Sequence, residues 1–107
     1  MRLPIEIETR EDRLAFDLFD ATTLAVGVSH ALPGGAILTF RGLGERRDPA
    51  DPFTVRLEIG LENGSIPGAV TWLCGRLRGR ATSIRVGGIG VAVDPVTVEQ
   101  AFTRAIS

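Results

Sequence analysis

Leu3, Ile5 and Ile7 alternate with Glu6 and Glu8, a period of two that predicts a half-buried strand over residues 3–8. The same alternation predicts strands over 36–41, where Ile37 and Thr39 oppose Leu38 and Phe40, and over 53–61, where Phe53, Val55, Leu57 and Ile59 oppose Thr54, Arg56 and Glu58. Residues 82–86 and 89–93 form a further strand pair around Gly87-Gly88, since a tight turn needs positive φ. Elsewhere the spacing lengthens to three and four. Ile66, Val70, Leu73 and Leu77 predict a helix from Ser65 to Arg78. Val98, Phe102 and Ala105, flanked by Ala101 and Ile106, predict another from Asp94 to the end of the chain.

Residues 10–32 carry two patterns at once. Leu14, Phe16 and Leu18 alternate with Ala15 and Asp17, which suits a strand over 13–19 followed by a helix from Asp20 to Leu32. Leu14, Leu18, Ala21, Ala25, Val28 and Leu32 also step by four and three, and Thr9 with Asp12 resembles a capping box, which suits one helix from Arg10 to Leu32. Thr22-Thr23 and Val26-Gly27-Val28 are poor helix material, so the strand-then-helix reading is preferred.

The helix starts then fall at Asp20, Ser65 and Asp94, each able to accept from the unpaired N–H groups of a first turn. Pro95 and Pro67 suit the first turns that follow. Pro33-Gly34-Gly35 ends the first helix, Asn63-Gly64 makes the turn before the second, and the stretch Gly42 to Pro52, with its two Asp-Pro pairs, is a long exposed loop. The expectation is a single α+β domain with a mainly antiparallel sheet. It repeats a β-β-α order three times and places its helices on one face.

A chain of 107 residues fits one domain. The formal charge of −1 supplies no field to draw nucleic acid, and the absence of tyrosine leaves few aromatic side chains for bases to stack on, so a nucleic-acid partner is not expected. No apolar run approaches the length of a membrane span, and the alternating N-terminus does not resemble a signal peptide. A single cysteine permits no internal disulfide. All the basic residues are arginine, which points to a GC-rich bacterial genome, and a cytoplasmic location is expected.

Little chemistry is left over. His30, beside Ser29, sits late in the predicted first helix, where a structural role near the helix end is favoured over catalysis. Cys74 adjoins the buried stripe of the second helix and packs as a small hydrophobe. One cysteine and one histidine cannot build a zinc cluster, and Gly87-Gly88-Ile89-Gly90 joins strand to strand without a lysine, unlike a phosphate loop. No catalytic residue, metal or cofactor is assigned. The candidate contact residues are Trp72, the loop pair Arg46 and Arg47, and the group Arg76, Arg80 and Arg85.

The run Ala69-Val70-Thr71-Trp72-Leu73-Cys74-Gly75-Arg76-Leu77-Arg78 precedes Ser83-Ile84-Arg85-Val86, Gly87-Gly88, Val91-Ala92-Val93-Asp94 and a short amphipathic helix. Residues 65–106 thus resemble the C-terminal half of small effector-associated adaptor domains, of the constant-component type, from bacterial conflict systems. The preceding residues do not share the pattern. The resemblance implies an adaptor that couples a sensor to an effector by protein contact, and it brings no catalytic residues. A non-enzymatic protein-interaction module is therefore expected, with a protein partner and edge-to-edge homo-oligomerisation as a secondary expectation. The alternative is a small anionic-ligand-binding protein or minor enzyme that uses Arg76, Arg80 and Arg85; those guanidiniums would have to converge in a concave pocket.

Overall fold

The computed structural model describes residues 1–106, with Asn63 described by its backbone alone. Strand β1, Arg2–Thr9, lies at the centre of a sheet. It pairs antiparallel with β4, Phe53–Gly60, from Arg2↔Gly60 to Thr9↔Phe53, and on its other edge with β5, Ala81–Val86. A meander of β2, Ser29–Ala31, and β3, Ile37–Leu43, extends the β4 side, and β6, Ile89–Val91, extends the β5 side. The six-stranded order is β2-β3-β4-β1-β5-β6, with every pairing antiparallel. Three helices complete the chain: α1, Leu14–Leu18, α2, Ile66–Leu77, and α3, Pro95–Ile106.

Alternation does what it predicts. Leu3, Ile5 and Ile7 of β1, Val55, Leu57 and Ile59 of β4, and Ile84 and Val86 of β5 are buried in one core. The positions between them, Glu6, Arg56 and Arg85 among them, stay at least partly exposed. The buried stripe of α2 is Ile66, Ala69, Val70, Leu73, Cys74 and Leu77, and that of α3 is Val98 and Phe102. Both belong to the same cluster as the inward sheet positions. The β5–β6 hairpin turns at Gly87 and Gly88, with φ of 58° and 87°, as the paired glycines predict. Asp94 caps α3: its Oδ1 accepts from the Thr97 N–H at 2.9 Å and its Oδ2 from the Thr97 hydroxyl at 2.7 Å. These bonds hold its carboxyl below the usual range.

The first third of the chain departs from expectation. Residues 14–18 are a short helix and not a strand, and neither a helix over 20–32 nor one over 10–32 forms. The β-β-α order is therefore not repeated three times; the chain opens β-α-β-β-β before α2. The reason lies in β1. Both its edges are occupied by β4 and β5, so a strand over 13–19 could not pair with β1 as a hairpin. Leu14, Ala15 and Leu18 instead turn one helical face into the core. Asp20, expected as a cap, lies beyond the end of α1 with φ of 50°. Residues 29–31 become the edge strand β2, and Pro33-Gly34-Gly35 is its hairpin turn to β3, not a helix stop. Leu32 N–H donates to the Ala36 carbonyl across that turn, and both glycines have positive φ. Ser65 does precede α2, but its hydroxyl turns back to accept from the Glu62 N–H and donate to the Glu62 carbonyl, and it caps no α2 N–H.

The β2–β3 turn packs directly on α2. A Cβ built on Gly68 would lie 2.2 Å from the Pro33 carbonyl oxygen, a backbone atom, whereas one on Gly75 of the same helix would meet nothing within 4 Å. Gly68→Ala is expected to cost about 2 kcal/mol or more through overpacking. Gly75→Ala should add roughly 0.5–1 kcal/mol by helix propensity. Urea denaturation of both variants checks the pair, because opposite signs in one helix isolate the contact with Pro33.

Candidate functional site

Thr9 ends β1 on its buried side, where a polar side chain needs partners. Its hydroxyl donates to the Arg80 carbonyl at 2.6 Å and accepts from the Glu11 N–H at 3.1 Å. Arg80 leads from α2 into β5, and its guanidinium returns the connection. Nε donates to Glu11 Oε1 at 2.9 Å and Nη2 to Asp17 Oδ2 at 2.6 Å. Those bonds raise the Arg80 pKa further above its ordinary value, Asp17 contributing most. Arg80 is thus a strap between α1 and the α2–β5 turn.

Arg76 joins the same corner, with Nη1 donating to the Asp17 carbonyl at 3.4 Å. Its guanidinium carbon also lies 5.2 Å from the Trp72 ring centroid. The His30 ring lies 5.6 Å from Trp72 on a tilted plane. His30 is therefore part of a packed aromatic pair on the edge strand β2, and Trp72, half-buried, is flanked rather than bare. Arg85 goes elsewhere. It pairs with Glu6 Oε2 at 3.7 Å on the exposed side of the sheet, its chain neighbours Ile84 and Val86 being buried. Arg76 and Arg80 are brought together, and Arg85 is not. No convergent guanidinium pocket is formed by the three.

Arg46 holds its own loop. Its guanidinium sits 4.0 Å from the Phe53 ring centroid and donates to the Pro49 and Asp51 carbonyls. Arg10 adds a bond to the Ala50 carbonyl at 2.6 Å. Arg47 is exposed and makes no hydrogen bond or ion pair among the described residues. Cys74 is buried, and burial, with the charge of Asp94, pushes its thiol pKa up. Among the described residues no three of His, Cys, Asp or Glu gather as a metal site, and no helix is long and apolar enough to cross a membrane.

Two concavities were not expected. An open groove of about 880 Å³ is lined by Arg2, Ser29, Thr39, Arg41 and Glu58 of β1, β2, β3 and β4, together with Gly34 and Gly64. A smaller cleft of about 430 Å³ opens between α1 and the β3–β4 pair. Phe16, Leu24, Phe40, Leu43 and Phe53 wall it, and Glu11 and Asp12 are its polar side chains. It owes one wall to a bulge. The register shifts between Phe40 and Gly42, where Gly42 has φ of 129°. That added residue puts Leu43 opposite the buried Val55, on the cleft side, yet 56% exposed. The sequence signal was the broken alternation Phe40-Arg41-Gly42-Leu43.

Two outcomes follow from this geometry. Arg80→Met should lower stability by on the order of 1 kcal/mol, an effect that shrinks in high salt because all three charged groups are partly exposed. Urea titrations at low and high salt read it, and amide exchange should rise first in α1. Cys74 should stay unreactive toward a thiol reagent in the native protein and react at the rate of unfolding; fast modification without urea would contradict the burial.

Compared with protein-family models, with curated proteins and with solved structures, the chain has no match in any of the three.

Proposed function

We propose that the chain is a non-enzymatic, adaptor-like interaction module that couples a sensor to an effector protein in a bacterial cytosolic system. The observation that supports this reading is the apolar α1/β3–β4 cleft, walled by Phe16, Leu24, Phe40, Leu43 and Phe53. Leu43, one of its lining residues, is 56% exposed. An apolar cleft with an exposed apolar wall is a surface where protein partners bind.

The arginines suit the same reading. Arg76, Arg80 and Arg46 are engaged within the chain, which gives the surface a defined shape, while Arg47 remains free to meet an acidic group on a partner. The rival reading, an anion gripped by Arg76, Arg80 and Arg85, asks for one cluster from side chains that the fold separates. Self-association by edge pairing has little backbone to use, since each edge strand, β2 and β6, is three residues long.

The test is a comparison of the wild-type chain with Leu43→Asp, an exposed position whose change leaves the core intact. A protein recovered on the wild type from cells that encode it, then purified, should bind the wild type directly and Leu43→Asp about tenfold more weakly. Equal binding to both, or no direct binding, removes this surface as the reason for the proposal.

A further inference from the structure

We draw no further inference here: the strongest candidate, the apolar cleft between α1 and the β3–β4 pair, carries none, because Arg13 and Arg46 sit charged on its Phe16 and Phe53 walls, Arg80 already pairs Glu11, and nothing in the structure shows what covers it.

Discussion

Strand β1 is the constraint on which the rest depends. It is hydrogen-bonded along both edges, and its inward side chains Leu3, Ile5 and Ile7 are buried. A strand so placed must have its neighbours in register, because a slip of one residue would send those side chains to the solvated face. Since β4 and β5 both run antiparallel to β1, they run parallel to each other, and α2 is the connection that carries the chain over β1 between them. The segment that follows β1 therefore cannot pair back onto it. It folds as α1 on the core and not in the sheet.

That exclusion creates the candidate site. Because α1 is only five residues long and cannot hold itself by helical cooperativity, it is fastened by tertiary bonds. Leu14 and Leu18 sink into the core, Phe19 packs edge-on against Phe40 at 6.0 Å, and Arg80 ties Glu11 and Asp17 to the start of β5. Thr9 closes the same corner from β1. Held there, α1 covers the sheet incompletely, and the gap toward the β3–β4 pair is the apolar cleft. The same contacts that stabilise the first third of the fold therefore shape the surface proposed to meet a partner.

The latter half of the fold was legible because its signals are local and agree with one another. The alternation in residues 53–60, the stripe Ile66, Val70, Leu73, Leu77, the Gly87-Gly88 turn and the Asp94-Pro95 helix start each point to the element observed. Residues 10–32 were not legible because strand and helix periods coincide there over too few residues. Pro33-Gly34-Gly35 was equally ambiguous, since a hairpin turn and a helix stop use the same residues. Of the candidate residues, Arg76 and Arg80 do come together, but Arg85 does not. The sheet pleat that separates them appears only once the register with Glu6 is known.

Sequence alone determined the α+β class, the antiparallel sheet, α2, α3 and the capping of α3 by Asp94, because each follows from periodicity or chemistry within a few neighbouring residues. Tertiary structure alone decided that residues 14–18 are helical, that residues 29–31 are an edge strand, and that Leu43 faces a cleft. Those outcomes depend on which sheet edges are already occupied and on a one-residue bulge at Gly42. Pairing between residues far apart in the chain sets both, and no local pattern encodes it.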